Sequence, residues 1–267
     1  MRPHGWIGLG LLLSAEGLLF SGNPWVAEWM TPVAWTAYIL FADGLVYCLK
    51  GESLLTTRRR ELWPMLPLSI ISWLFFEFYN YLLKNWYYIG TSENLYERGI
   101  GYAWSFATIF PGIFETADLF LALGAFRRCR WRPLSFTPSG LRLCLTLGLI
   151  TLGYPLLFPS PYLFAPVWVG VVLFLEPINL AYAPQSLLRD IKEGDYERAL
   201  SLLAAGLICG FLWEFWNYWA SSRWVYTVPI LSGLKAFEMP VIGYLGFPPF
   251  ALECFAMYQS ARALFRF

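Results

Sequence analysis

Residues 76–81 read FEFYNY, and residues 213–218 read WEFWNY. The two stretches carry a glutamate and an asparagine at the same spacing, inside long apolar runs that lie roughly 135 residues apart. A single short match is weak evidence in so apolar a chain. The pair predicts an internal repeat only if further matches flank both stretches in the same order.

Flanking matches do occur on both sides of this pair, and their order is the same in both parts of the chain. They are Leu18–Phe20 with Leu156–Phe158, Pro32-Val33 with Pro166-Val167, Phe41-x-Asp43 with Phe174-x-Glu176, Ser53–Leu55 with Ser186–Leu188, Trp86-x-Tyr88 with Trp224-x-Tyr226, and Pro111–Glu115 with Pro249–Glu253. We therefore predict two repeats, residues 1–133 and residues 134–267, within one integral membrane domain.

The composition of the chain places it in a membrane. Of its 267 residues, 58% are hydrophobic and only 14% are charged, too few to cover the surface of a soluble domain. The apolar residues fall in blocks of about 20, the length that crosses the hydrocarbon core. The sequence predicts an all-α protein with eight transmembrane helices, near residues 5–22, 31–49, 62–84, 102–125, 139–159, 164–182, 198–219 and 237–261.

The distribution of basic residues predicts the orientation of the chain. If the N-terminus is cytoplasmic, fifteen Lys and Arg residues fall in the inner segments and four fall in the outer loops. The positive-inside rule then places both termini in the cytoplasm. We expect the membrane to be a bacterial inner membrane. Because each repeat has four spans, both repeats cross the membrane in the same direction, as parallel copies around an axis along the membrane normal.

Counts of residue types exclude several classes of function. The net charge of +1 gives no reason to expect a nucleic-acid partner. The five cysteines are scattered without a CxxC pair, which indicates packing residues and not a zinc site. His4 is the only histidine, which excludes histidine-ligated metal centres and histidine-dependent proteases. We expect no metal and no cofactor.

Six acidic residues within the predicted spans are matched between the repeats, three in each. They are Asp43, Glu77 and Glu115, matched by Glu176, Glu214 and Glu253. A charged aspartate at a helix centre costs roughly 2.5–3.5 kcal/mol on insertion scales, and no Lys or Arg lies mid-span to pair with these acids. They would therefore carry a proton, because burial disfavours the charged form, bind a cation, or line a wet cavity.

Polar neighbours suggest how these acids are held. An asparagine follows each central glutamate by three residues, at Asn80 and Asn217. This spacing places both side chains on one helix face, where we expect the amide to orient the carboxyl group. We expect Asp43 and Glu176 to bind or orient the substrate as well. Hydrogen bonds between helices are the alternative role for all of these polar residues.

Aromatic side chains surround both central glutamates and occur all round their helices. We expect the following to contact the substrate: Trp73, Trp213 and Trp216. Ring faces stabilise a carbocation, which suits an acid that protonates a carbon–carbon double bond. Other aromatics are assigned to the belt at the membrane surface: Trp86, Tyr87, Tyr88, Trp224 and Tyr226.

Around these residues the sequence resembles the integral-membrane, flavin-free lycopene cyclase domains of carotenoid biosynthesis, over about 50 residues per repeat. Those domains carry a Trp-Asp near the end of one span, a Trp-x-Phe or Trp-x-Tyr in the next loop, and a Pro-x-Glu-Glu near the start of the following span. The corresponding residues here are Glu77 or Trp213-Glu214, then Trp86-x-Tyr88 or Trp224-x-Tyr226, then Phe110–Glu115 or Pro248–Glu253. The double glutamate is missing from both copies, so the resemblance implies an isoprenoid-binding relative more than a lycopene cyclase itself. The chain is more faintly similar to membrane prenyltransferases, although it has no Asp-rich diphosphate motif.

Three functional hypotheses follow. The first is an intramembrane enzyme that protonates a double bond of a carotenoid or polyprenoid, as a cyclase, hydratase or isomerase. In it Glu115 and Glu253 are the acids, and Glu77 and Glu214 are partner acids or cation stabilisers. The second is a proton- or cation-coupled transporter or channel with an acid-lined central site. The third is a non-catalytic subunit that binds pigment or lipid in a larger membrane complex, and the sequence leaves the oligomeric state open.

Overall fold

A computed structural model describes residues 1–267 and is mainly helical, with almost no sheet. Its elements are α1 (Pro3–Phe20), α2 (Pro24–Lys50), α3 (Arg59–Leu83), β1 (Trp86–Ile89), α4 (Leu95–Ala107), α5 (Ile109–Leu123), α6 (Pro138–Leu157), α7 (Phe164–Tyr182), α8 (Leu187–Lys192), α9 (Glu197–Trp219), β2 (Arg223–Tyr226), β3 (Lys235–Ala236), β4 (Met239–Pro240) and α10 (Phe247–Phe265). Short 3₁₀ segments precede α7 and α10, at Pro161–Leu163 and Val241–Gly246.

Seven helical segments are long and apolar enough to cross a membrane, which indicates an integral membrane protein. They are Pro24–Lys50, Arg59–Leu83, Leu95–Leu123, Pro138–Leu157, Pro161–Tyr182, Glu197–Trp219 and Val241–Phe265. Seven of the eight predicted spans overlap these segments. The first predicted span, residues 5–22, overlaps α1, an 18-residue helix that is not among the seven. The count of eight spans therefore stays a prediction.

The first helix of each predicted repeat packs against the second at a glycine. A Cβ atom at Gly8 of α1 would lie 2.5 Å from the backbone nitrogen of Phe41 in α2. A Cβ atom at Gly148 of α6 would lie 2.6 Å from the backbone nitrogen of Phe174 in α7. Backbones approach this closely only where the side chain is absent. Because Phe41 and Phe174 are matched in the sequence, these two contacts support the predicted repeat.

Aromatic side chains join residues 1–133, which we call the N-terminal half, to residues 134–267, the C-terminal half. Trp35 of α2 is fully buried, and its ring centroid lies 4.7 Å from that of Trp213 and 5.1 Å from that of Trp216, both in α9. Phe76 of α3 meets Phe250 of α10 with centroids 5.4 Å apart. The halves thus share one core.

The last span of each half is interrupted before its final helix. In the N-terminal half α4 ends and α5 begins at Thr108. In the C-terminal half the 3₁₀ segment Val241–Gly246 leads into α10. Prolines at 248 and 249 fit the first turn of α10, where the backbone N–H has no helical partner.

Strands β1 and β2 pair with each other across the boundary between the halves. The pairing is antiparallel, with Trp86 opposite Tyr226 and Tyr88 opposite Trp224. The two Trp-x-Tyr motifs therefore face each other reciprocally. Equivalent strands related by a twofold axis that passes between them run antiparallel, so this register supports the predicted axis between the halves.

Candidate functional site

A cavity of about 140 Å³ lies between the two halves. We call it the aromatic cavity because aromatic residues are the largest group in its wall: Trp29, Trp73, Phe76, Trp86, Tyr88, Tyr102, Phe106, Trp168, Trp213, Trp224, Tyr226, Phe247 and Phe250. The polar lining residues are Glu28, Thr31, Thr91, Ser92, Glu97, Arg98, Ser105, Glu214, Ser222 and Arg223. In the orientation predicted from charge, this cavity lies at the outer end of the molecule.

Glu214 is the buried acid of the aromatic cavity. Its side chain is 0% exposed. Its Oε1 atom accepts hydrogen bonds from the Tyr226 hydroxyl at 2.8 Å and from Trp224 Nε1 at 3.3 Å. Its Oε2 atom is buried and has no hydrogen-bond partner in the protein. When this carboxyl group carries a proton, Oε2 is the oxygen that is free to hold it.

Glu77 has the matching position in the N-terminal half. Its Oε1 atom accepts hydrogen bonds from Trp73 Nε1 at 2.9 Å, Trp86 Nε1 at 3.1 Å and the Tyr88 hydroxyl at 2.5 Å. Glu77 is only half-buried and does not line the cavity, although its three partners do. The glutamate, tryptophan and tyrosine of each half thus form the same hydrogen-bonded group, and only the C-terminal group presents its carboxyl group to the cavity.

The tyrosines of both groups lie in strands outside the membrane-spanning segments. Burial, together with the neighbouring Glu77 carboxylate, raises the pKa of the Tyr88 hydroxyl well above its usual value. Burial, together with Glu214, does the same to the pKa of Tyr226. Both hydroxyl groups therefore remain protonated hydrogen-bond donors across the physiological pH range.

The two asparagines hold the strands and do not orient the acids, which corrects the prediction made for them. The Asn80 side chain donates to the Trp86 carbonyl at 2.9 Å and accepts from the Trp86 backbone N–H at 3.0 Å. Asn217 makes the same two bonds with Trp224, both at 2.9 Å. The backbone of each tryptophan offers the amide a donor and an acceptor at once, whereas an ionised carboxylate offers acceptors only. The asparagines therefore contribute to the site by fixing the backbone positions of Trp86 and Trp224.

Asp43 and Glu176 bind the short segment that follows each of their helices, and neither lines the cavity. Asp43 accepts from the Ser53 hydroxyl at 2.8 Å and the Leu55 backbone N–H at 2.6 Å, and it also lies 2.7 Å from His4. The second set of bonds has the same pattern: Glu176 accepts from Ser186 at 2.8 Å and from the Leu188 N–H at 3.1 Å. This geometry gives both acids a structural role, and their expected contact with a substrate stays a prediction.

Replacing Asp43 or Glu176 by alanine is expected to lower the free energy of unfolding by about 1–3 kcal/mol, because each change leaves a buried serine hydroxyl and a backbone N–H without an acceptor. Thermal unfolding of the detergent-purified protein measures the effect. Glu52→Ala and Glu193→Ala, at exposed positions near the same two segments, are the controls and should change stability by less than about 0.5 kcal/mol. Unchanged unfolding of both test variants would contradict the structural role.

The structure separates the other two predicted acids from the aromatic cavity. Glu115 and Glu253 lie six residues beyond the first residues of α5 and α10, about 9 Å further along each helix. Glu115 Oε1 accepts from the Leu54 backbone N–H at 3.2 Å, and its Oε2 has no partner. Glu253 is 0% exposed, and neither of its oxygens has a partner. Neither of these two predicted acids lines the aromatic cavity, and their role as proton donors stays a prediction.

The predicted aromatic contacts divide in the same way. Trp73 and Trp213 line the aromatic cavity. Trp216 does not, because its ring packs on Trp35 and its Nε1 donates to Glu16 of α1 at 3.0 Å. The interfacial belt assigned from the sequence includes four residues that instead turn inward and line the cavity: Trp86, Tyr88, Trp224 and Tyr226. The signal that could have identified them is the repetition of Trp-x-Tyr at the same place in both halves. Residues of an interfacial aromatic belt do not have to recur at a fixed spacing.

Comparison of the chain with models of known protein families, with curated proteins and with solved structures finds no match. The interpretation of the site therefore rests on its residues and their geometry.

Proposed function

We propose that the protein is an intramembrane enzyme that transfers a proton from Glu214 to a carbon–carbon double bond of a long isoprenoid. The observation that carries the proposal is the Glu214 Oε2 atom, which lacks a partner in a cavity walled by aromatic rings. An acid without competing hydrogen bonds is available to a substrate. Ring faces stabilise the cation that forms when a double bond accepts a proton.

The size of the cavity supports a long substrate of which only one end enters the cavity. A volume of about 140 Å³ is close to that of an engineered apolar cavity of ~150 Å³ that holds benzene. One six-membered ring fills such a space, and the rest of a carotenoid or polyprenoid chain would extend outside it. This match favours a cyclase or an isomerase of a terminal group.

In the proposed reaction the Glu214 carboxyl group gives its proton to one carbon of a terminal double bond, and the other carbon becomes a cation. The electron pair of a second double bond in the same chain then forms the new carbon–carbon bond. Loss of a proton from a neighbouring carbon to the Glu214 carboxylate forms a double bond and restores the acid. The product is an isomer of the substrate, so the reaction consumes no cofactor.

The hydrogen bonds around Glu214 suit both states of this cycle. When the carboxyl group has lost its proton, Tyr226 and Trp224 donate to its Oε1 and offset the charge. Trp86 and Tyr88 hold the facing wall through Glu77. In this proposal Glu77 positions the rings of the wall, and Glu214 transfers the proton.

A transporter remains the second candidate, because the molecule has a second cavity, which the buried Glu115 lines. Buried acids inside a membrane protein mark proton relays and ion pathways, which is the role that a proton-coupled carrier would give to Glu115. This candidate predicts flux through liposomes that depends on a proton gradient.

Mass spectrometry and chromatography of the lipids that co-purify with the protein would test the proposal. The wild type would be compared with Glu214→Gln and with Glu193→Gln, a change at an exposed site. We expect the wild type and the control to carry a cyclised or rearranged isoprenoid, and Glu214→Gln to carry its unreacted isomer, with a different retention time. Phospholipid alone in all three samples would reject the enzyme in favour of the transporter. The same isoprenoid in all three would instead favour a pigment- or lipid-binding subunit.

A further inference from the structure

The second cavity has a volume of about 390 Å³ and opens at the arginine-rich end of the molecule. We call it the arginine cavity, since its lining includes Arg58, Arg198 and Arg262 together with Glu115 and Asp118. The orientation predicted from charge places it on the cytoplasmic side. It is separate from the aromatic cavity and has no part in the reaction proposed above.

Four buried polar atoms on the wall of the arginine cavity lack hydrogen-bond partners. They are Arg58 Nε, Glu115 Oε2, the Tyr258 hydroxyl and Gln259 Oε1. Glu115 is 0% exposed, Gln259 is 2% exposed and Tyr258 is 3% exposed. Buried polar groups in proteins almost always have partners, so these atoms point to an occupant of the cavity.

The chemistry of the four atoms identifies the occupant. Arg58 Nε can only donate, Gln259 Oε1 can only accept, and Tyr258 can do both. An anion would accept a hydrogen bond from Arg58 Nε and leave Gln259 Oε1 unpaired. A cation would bind Gln259 Oε1 and leave Arg58 Nε unpaired. Water donates and accepts, and the volume has room for roughly ten molecules. A chain of water molecules therefore fits the wall better than any ion does.

The charges around Glu115 come from every element packed against it. Positive groups are Lys50 of α2, Arg58 of the segment before α3, Arg198 of α9 and Arg262 of α10; negative groups are Asp43 of α2, Glu61 of α3 and Asp118 of α5 itself. Arg58 forms an ion pair with Asp118, and Arg198 pairs with Asp190 at 2.7 Å. The two signs nearly balance, so the cavity holds no strong field that would exclude a proton.

On its other side Glu115 is closed off from the aromatic cavity. Phe110 and Ile113 precede it on α5 and are fully buried, and Trp35 packs beside them against Gly112. The only polar atom among these three side chains is Trp35 Nε1, which is buried, has no partner and can donate a hydrogen bond but not accept one. The arginine cavity is therefore the route by which water reaches Glu115 in this structure.

We propose that Glu115 is a proton-binding site that exchanges protons with the solvent at the arginine-rich end through water in this cavity. The matched residue Glu253 provides an internal comparison. It is buried to the same extent, but it lines neither cavity. The two glutamates should therefore differ in how fast they exchange protons, although their burial is the same.

Infrared difference spectroscopy of the protein in lipid nanodiscs tests this proposal. The carbonyl stretch of a protonated carboxyl group moves when its hydrogen is replaced by deuterium, and Glu115→Gln and Glu253→Gln assign the two bands. On transfer to D₂O, with the pH varied, we expect the Glu115 band to shift at least tenfold faster than the Glu253 band and to be the one that responds to buffer pH. Equal rates for the two glutamates, or a Glu115 band that is insensitive to D₂O and pH, would overturn the proposal.

A second variant covers the case in which Glu115→Gln does not fold. Leu121 is a partly exposed lining residue of the arginine cavity, and Leu121→Trp would narrow the cavity without changing its charge. We expect it to slow the exchange of the Glu115 band at least tenfold and to leave the Glu253 band unchanged. Exchange of the Glu115 band at the wild-type rate would contradict the route through this cavity.

Discussion

Replacing Glu214 by glutamine is expected to lower turnover by about 10²–10⁴-fold, the usual loss when a positioned acid is removed. Glutamine keeps the shape of the side chain and an oxygen that can accept from Tyr226 and Trp224, so the wall of the aromatic cavity should stay in place. Only the transferable proton on Oε2 is lost. Conversion of an acyclic carotenoid by the purified protein in liposomes, followed by chromatography, measures the effect.

Two further variants make this experiment decisive. Tyr226→Phe removes one of the two donors to Glu214 Oε1 and should lower turnover by a smaller factor, on the order of 10-fold. Glu193→Gln, at an exposed position, should leave turnover unchanged. If Glu253→Gln abolished turnover and Glu214→Gln did not, the aromatic cavity would not be the reaction site.

Replacing Trp35 by alanine is expected to lower the free energy of unfolding by about 3–5 kcal/mol, the largest loss of stability that we expect from any single change. Trp35 is fully buried and meets Trp213, Trp216 and Tyr38 with ring centroids 4.7–5.4 Å apart. Alanine would leave a cavity at the point where α2 meets α9. Thermal unfolding in detergent measures the loss.

Trp63→Ala is the matched control for this substitution. Trp63 lies on α3 and is 71% exposed, so its side chain has few protein contacts to lose. Its removal should change stability by less than about 0.5 kcal/mol. Equal losses of stability for the two variants would show that Trp35 does not hold the halves together.

The helices could be predicted from the sequence because apolar blocks of membrane-spanning length need no tertiary information. The seven long apolar helices confirm that part of the prediction. Glu214 stands out in the sequence because it is matched in the other half, but its expected role there is that of a partner acid, and Glu115 and Glu253 are the expected acids. The place where α4 breaks at Thr108 could not be predicted, since the surrounding residues stay apolar throughout.

The rest of the site depends on how the chain turns back on itself. Asn80 and Glu77 share a helix face, but spacing alone could not show that the asparagine binds the next turn of backbone and not the carboxyl group. The composition of Trp86-x-Tyr88 also suits the membrane surface. Only the pairing of β1 with β2 turns these rings inward, and that contact joins residues more than a hundred positions apart.

The reciprocal pairing of β1 with β2 has an evolutionary consequence. Each half supplies one strand, and the Trp-x-Tyr motifs that face each other across the pair are equivalent. Two identical shorter chains could therefore have assembled in the same way before their genes were joined. In such a homodimer both glutamates would have had to serve the same chemistry. Fusion into one gene removes that constraint, because each copy then mutates independently. One glutamate, at position 77, could become a partly exposed support whose Oε1 binds three donors, while its counterpart at 214 kept a buried oxygen without a partner.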